Sequence, residues 1–444
     1  GGDAVRADED RERLLITAED VAPRGRVSIP AAATSAPLRV GRKVQPLARG
    51  FLHATLFVVV LTSSFALIEP SPHDMLIGVL AFAALIAGVS LDRKLLPLVF
   101  LLAVWNVGGL FALFELTTQK EAIQYAATSF YLAIAAILFA CVVAQDSLRR
   151  MQIIKIAYIL SAVAAAVIGV AAYFRAVPGA DTFLLYGRVK STFKDPNVFG
   201  PFLVLPLLFL IQDIIARGPR VLNTAATLAI TAGLFLSFSR GAWFHTALSA
   251  MIMIVLMVLT APSQRDRVRI IGLSGVAIGV LGVLVVAMLS VGSLRTMLME
   301  RAQLIQSYDV GTGGRFQLQE LAVGTLLDQP LGLGPFEFAR IFGLQQHNVY
   351  LQAFLVYGWV GGAAYIAMVV TTLAIGLRAS FLRTPWQPYL IASYGMFVGE
   401  VAESFIIDSD HWRHYFLALG LVWGLAVASL NERRARLRIA AGRR

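Results

Sequence analysis

The chain has 444 residues, of which 57% are hydrophobic and only 15% charged, with a mean hydropathy of +0.72. Soluble domains carry roughly 25% charged residues, so lipid must solvate most of this chain, and a soluble multidomain protein is excluded. The net charge of +11 does not point to nucleic acid, because the basic residues are scattered in short connections between apolar runs, where they orient helices in a bilayer.

Residues 1–48 are polar, rich in Pro and Ala and charged at both signs, and read as a disordered cytoplasmic tail. The chain begins Gly-Gly rather than Met, so the native start is expected to lie elsewhere. No small-residue cleavage site follows the basic start, so no cleaved signal peptide is expected. Apolar runs then fall near 50–69, 74–91, 95–116, 122–144, 152–174, 198–216, 221–238, 241–260, 268–291, 348–377, 386–405 and 412–430. They predict an all-α polytopic membrane protein of about 12 transmembrane helices over residues 49–430. Cys141, the only cysteine, sits inside one of these runs, which excludes disulfides and thiolate metal sites.

The connections alternate in charge. Arg93 with Lys94, Arg149 with Arg150, Arg217 with Arg220, Arg265 to Arg269, Arg378 with Arg383 and the basic tail 431–444 share one side. The positive-inside rule makes that side cytoplasmic, with both termini there and the chain in the inner membrane. The opposite connections should be poor in Lys and Arg, and three of them (70–73, 117–121 and 406–410) hold only Lys120. Three are not poor: 175–197, the junction at 239–240, and the long loop 292–347. Such cations are either solvated or snorkelling at helix ends, or they are held outside by an anionic ligand.

In 175–197, Arg188 and Lys190 stand two apart, so an extended stretch points both to one side. A planar guanidinium matches two phosphate oxygens and an ammonium adds a point charge, which suits a pyrophosphate. Lys194 adds a further cation, and Asp195-Pro196-Asn197 reads as a helix cap. Arg240 stands at a helix junction, beside Gly241, which permits close approach of another backbone or a ligand. In the long loop, Gly311 to Gly314 break the chain. Phe316 to Asp328 then read as an amphipathic helix, with Phe316, Leu321 and Leu327 on its apolar face. Arg315 at the start of that helix opposes its dipole, a conflict that a bound anion would remove. His347 ends the same loop and can serve as a general base at neutral pH. His53 and His245 lie in or beside apolar runs without acidic neighbours in sequence and read as structural. Asp408, Asp410, His411, Trp412 and Arg413 read as a short ion-paired loop with an interfacial Trp. No carboxylate cluster with metal-ligand spacing appears on the outward side, so no metal or other cofactor is expected.

Three stretches carry a family likeness: Arg188 to Asn197, Leu236 to Trp243, and 314–362 with Gly314-Arg315, Pro330 to Pro335, His347 to Gln352 and Tyr357 to Gly361. In this order, on a bundle of many helices, the chain resembles the O-antigen ligase and polymerase superfamily. The resemblance implies a GT-C-like all-helical fold with a large periplasmic loop. It implies metal-independent transfer of a glycan from undecaprenyl pyrophosphate to an acceptor hydroxyl, on a growing O-antigen or exopolysaccharide or on lipid A-core. By position, Arg188 and Arg240 match the family's phosphate-binding arginines, Arg315 its loop arginine and His347 its proposed base. Lys190 and Lys194 join them on charge and placement alone. Membrane lipids and, for a polymerase, a chain-length regulator would be further partners. A transporter or flippase of lipid-linked oligosaccharides is the alternative, but it should show internal repeats and mid-helix charges. No repeat is clear and the mid-helix positions read as almost free of charge, which favours an enzyme.

Overall fold

The computed structural model describes residues 45–302, 311 and 313–441; most of the expected N-terminal tail lies outside them. Helix α1 (Gln45–Leu61) begins inside the stretch read as tail. α2 (Pro72–Ile86) starts with Pro72 at its first position and a capping box in which Ser71 and Asp74 satisfy each other's backbone N–H groups. α3 (Leu96–Leu113), α4 (Lys120–Ala144) and α5 (Ser147–Tyr173) follow. A two-residue hairpin, β1 (Leu184–Leu185) and β2 (Arg188–Val189), then turns at Tyr186 and Gly187, both with positive φ. That is the backbone a tight hairpin of this twist requires.

The run read as one helix at 198–216 is two, α6 (Pro196–Phe202) and α7 (Val204–Arg217). Pro206 has no N–H to give the Phe202 carbonyl, so the helix steps there. α8 (Val221–Leu236), α9 (Arg240–Thr260) and α10 (Gln264–Leu289) complete the first half. The long loop holds α11 (Gly292–Ala302), α12 (Arg315–Asp328) and α13 (Glu337–Phe342). The last helices are α14 (Val349–Ser380), α15 (Gln387–Glu403) and α16 (Arg413–Ala441), the last continuing as helix through most of the basic segment. Among the described residues nine spans are long and apolar enough to cross a membrane, while α2 and α8 are shorter apolar helices and α15 has 17 residues. The chain is an all-α polytopic membrane protein. α10 shows most clearly what solvates it: only Ile270 and Ser274 of its residues are buried, and the apolar remainder faces lipid.

Lipid gives no hydrophobic drive for helix pairing, so close backbone contact must supply it. Gly420 and Gly424 of α16, four apart, lie against the Ala136 and Ala140 carbonyls of α4, where an added Cβ would sit 2.6 and 2.5 Å from those oxygens. α14 breaks at Gly358 (φ 67°, ψ −178°). The Trp359 N–H, which a continuous helix would give to Leu355, donates to the Pro330 carbonyl at 2.9 Å. The released Leu355 carbonyl accepts from Leu333 N (2.6 Å) and Gly334 N (3.2 Å). The Pro330–Pro335 turn is thus spliced into the break and satisfies the Trp359 N–H and the Leu355 carbonyl, which a dry environment would otherwise leave bare. Gly358→Ala forces an L side chain into positive φ, with its Cβ 2.8 Å from Leu331 and Pro330 backbone atoms. We expect a loss of at least ~1–3 kcal/mol, read as a lower Tm of the detergent-solubilised protein; an unchanged Tm would show that the splice carries no stability.

α12 is amphipathic as read, but its inward face is different. Leu318 and Ala322 pack with Phe338 and Leu355, whereas Phe316, Leu321 and Leu327 are exposed. The face is chosen by the partner surface of α13 and α14, which periodicity alone does not locate.

Candidate functional site

The connections that broke the charge rule gather at one end of the bundle. Thr192 Oγ1 donates to the Ser64 carbonyl (2.7 Å) and Ser191 Oγ to the Ala165 carbonyl (2.6 Å), which seats the hairpin loop on the turn that ends α1 and on α5. At the opposite end Asn431 donates to Asp92 (2.8 Å), Lys155 pairs with Asp213 (2.5 Å) and Gln212 donates to the Pro388 carbonyl (2.9 Å). Of the described non-glycine residues with positive φ, all but Asp146 lie in hairpin-end connections: Arg175, Tyr186, Ser191, Phe238, Phe336 and His347. Sparsely populated backbone of this kind costs about 1–3 kcal/mol per residue and persists where the surroundings over-determine it, as functional sites do.

Arg188 lies on β2 and is half-buried; its Nε donates to the Ser237 carbonyl (2.9 Å) and a terminal nitrogen to Asn197 Oδ1 (2.7 Å). These bonds fix the plane of the fork against the turn that leads into α9. Arg240 is the first residue of α9, three positions beyond that Ser237 carbonyl and also half-buried. Val189 is fully buried while Arg188 and Lys190 on either side of it are half-exposed, the alternation expected of extended chain. Asp195 caps α6 by accepting from Asn197 N at 2.6 Å, as read from the sequence.

Lys194 has a carboxylate partner that its sequence neighbours do not supply. It is exposed and pairs with Glu69 at 2.7 Å. Exposed ion pairs of this kind contribute about 0–1 kcal/mol, so Lys194→Ala should leave any transfer rate within about twofold of wild type. A loss as large as that of Arg188→Ala would return Lys194 to the site.

From Arg240 the site continues through helix contacts. Gly241 lies against Glu403, with an added Cβ 2.4 Å from its Oε1, so the close approach expected at this glycine is made by a side chain of α15. Ser404, next along, accepts the Val349 N–H at 2.9 Å and so holds the start of α14. Asn348 caps α14 through Tyr350 N and Leu351 N, and His347 immediately before it takes φ 49°. Gln319 of α12 donates to the Gln346 carbonyl (3.3 Å) and the Phe405 carbonyl (3.4 Å). Arg315 lies one turn before Gln319 on the same face, half-buried at the helix start.

His347 Nδ1 is 2.8 Å from Asp408 Oδ2, with the two side chains 44% and 30% exposed. A carboxylate accepts the Nδ1–H, which leaves the Nε2 lone pair for a substrate. Asp408, which the sequence places in the ion-paired loop, is a partner of His347 that sequence reasoning does not find, since 61 residues separate the two. The rest of that loop is ion-paired as read. Arg413 donates from Nε and a terminal nitrogen to both Asp74 oxygens at 2.7 Å, but Trp412 is buried rather than interfacial. Burial alone would raise the Asp410 carboxyl, yet the His411 charge and hydrogen bond and the Tyr125 hydroxyl (2.6 Å) outweigh it and hold it below its ordinary value.

Two further readings change. His245 has acidic partners after all: its Nδ1 is 2.9 Å from Glu403 Oε2 and 3.6 Å from Glu400 Oε2, all three fully buried. The α15 run is therefore not free of charge, and a carboxylate cluster with ligand spacing does exist near this end of the bundle.

Residues 225–366 match the family model described as O-antigen ligase. Arg240, Arg315 and His347 fall inside the matched stretch, while Arg188 and Asp408 reach it only through the fold. Compared with the curated proteins, the sequence has no match. The stretch 225–366 is thus similar to the O-antigen ligase family, and it sits in a bundle of apolar, membrane-spanning helices.

Proposed function

We propose that the protein transfers a glycan from undecaprenyl pyrophosphate to an acceptor hydroxyl on the periplasmic face of the inner membrane, with both termini in the cytoplasm. The observation that carries this reading is the gathering of Arg188, Arg240 and the His347–Asp408 pair at one end of an O-antigen ligase-like bundle. By the positive-inside rule that end, whose connections at 70–73, 117–121 and 406–410 hold only Lys120, faces away from the cytoplasm.

In this reading the acceptor hydroxyl gives its proton to His347 Nε2 as its oxygen bonds to the anomeric carbon. The bond from that carbon to the pyrophosphate oxygen breaks, and its electron pair leaves with the pyrophosphate, with inversion at the carbon. Negative charge therefore grows on the pyrophosphate oxygens, which this reading assigns to Arg188, Arg240 and Lys190, with Arg315 serving the same charge from the loop. Groups placed in advance in a low-dielectric setting favour that transition state over the ground state. The protein's own cations, rather than a metal, carry this charge.

Two cavities support the substrate assignment. An apolar groove of about 350 Å³ between α3 and the Pro330–Leu331 turn, lined by Phe100, Val104, Phe111 and Val360, suits a polyprenyl chain. A cleft of about 610 Å³ on α12, lined by Gln317, Glu320, Thr325, Asp328 and Phe342, offers the amides, carboxylates and ring that sugars favour. The test supplies the purified protein in nanodiscs with an undecaprenyl-pyrophosphate glycan and either lipid A-core or a second glycan repeat, and follows products by mass spectrometry. Transfer to one acceptor is the expected result and separates ligase from polymerase. Movement of the donor across sealed vesicles without any transfer would make the protein a transporter instead.

A further inference from the structure

Beneath the transfer site, α9, α15 and α16 meet at four buried side chains, His245, Glu400, Glu403 and His414. One ligand atom from each of His245, Glu400 and Glu403 lies within 4.8 Å of the others. His414 Nε2 stands 3.7 Å from Glu400 Oε1 on the far side. Among the described residues, both Glu400 oxygens, Glu403 Oε1 and His414 Nε2 are buried without a hydrogen-bond partner. Buried polar atoms are nearly always satisfied, so four orphans in one buried cluster require a cause.

The orientation of His245 narrows that cause. Its Nε2 is 3.0 Å from the Met396 carbonyl, which can only accept, so Nε2 carries the proton. In a neutral ring the Nδ1 lone pair then faces the Glu403 and Glu400 oxygens at 2.9 and 3.6 Å. Three electron-pair donors converge, and something positive belongs between them. A ring N–H given to a backbone carbonyl is also the usual support behind a metal-bound histidine. An imidazolium would satisfy Glu403 alone, leaving the Glu400 carboxylate buried without a partner. A divalent ion balances both carboxylates in a setting where an unpaired buried charge is costly.

We propose that His245, Glu400 and Glu403 bind one divalent transition-metal ion that pins α9 to α15, with His414 of α16 packed beside Glu400. Nitrogen and carboxylate donors suit zinc, manganese or ferrous iron rather than calcium or magnesium. The ion is structural in this assignment and touches no reacting atom. It holds Glu403, and with it the Ser404 carbonyl that anchors Val349 and the short loop that carries Asp408.

The test uses the full chain, purified with a tag that binds no metal, stripped with a chelator and then loaded separately with zinc, manganese or ferrous iron. Elemental analysis after removal of free ion should return on the order of one equivalent per chain for one of them. Chelation should lower the Tm and reloading should restore it. His245→Ala and Glu403→Gln should each lose the metal and the chelator-dependent Tm shift together. Less than about a tenth of an equivalent in reloaded wild type, with no Tm response, overturns the proposal and leaves an imidazolium–carboxylate pair, as does full retention of metal in both variants. The wild-type measurements decide the matter even where a variant does not fold, and none of them depends on transfer activity.

Discussion

His347→Ala should lower the rate of glycan transfer by about 10²–10⁴, the range in which a positioned general base contributes. Donor binding should change little, because the imidazole is assigned to the acceptor proton and not to the pyrophosphate. Asp408→Asn tests the same pair from the other side. An amide can place its NH₂ or its oxygen against Nδ1, so the tautomer that presents Nε2 is no longer enforced. The two losses should be far from additive: once His347 is gone, Asp408 has nothing to orient, and the double variant should resemble His347→Ala. Rates are followed by product formation at saturating donor, with Tm measured on each variant to confirm the fold. Full activity in both single variants would remove His347 from the chemistry, and strictly additive losses would separate Asp408 from it.

Arg188→Ala should cost about 10²–10³ in transfer rate, as loss of one pre-placed charge-stabilising group does. Arg240→Ala should do the same, and these losses should appear with either acceptor, since both arginines are assigned to the donor. Arg188→Lys discriminates between charge and shape. Lysine keeps the charge but cannot hold both the Ser237 carbonyl and Asn197 Oδ1 in one plane. We expect Arg188→Lys to recover less than a tenth of the lost rate, a difference of about 1.4 kcal/mol or more from wild type. If the lysine variant is fully active, the fork geometry is irrelevant and only the field matters. A lower Tm in Arg188→Ala would report the lost link between β2 and the Ser237 turn, so transfer is compared at a temperature where both proteins are folded.

Much of the proposed site is drawn from the sequence itself, for a definite reason. Arg188, Lys190, Arg240, Arg315 and His347 stand in connections, and a cation that defies the orientation bias is visible in the sequence itself. The Asp195 cap and the close approach at Gly241 were legible too, since both depend on neighbours or on the absence of a side chain. For Lys194, charge and placement do not reveal that Glu69 of an earlier connection lies 2.7 Å away. Asp408 was invisible for the complementary reason, its partner lying 61 residues back.

By itself the sequence determined that the chain crosses a membrane many times, roughly where each helix lies, and which connections carry unexpected cations. Hydropathy, caps and charge bias are properties of a single stretch and need no partner to act. Only the tertiary structure decided what those stretches meet. Side chains far apart in sequence pair through the directions in which helices pack, so the His347–Asp408 pair, the Pro330 turn spliced into α14 at Gly358, and the buried His245–Glu400–Glu403 cluster exist only once α9, α14, α15 and α16 stand side by side.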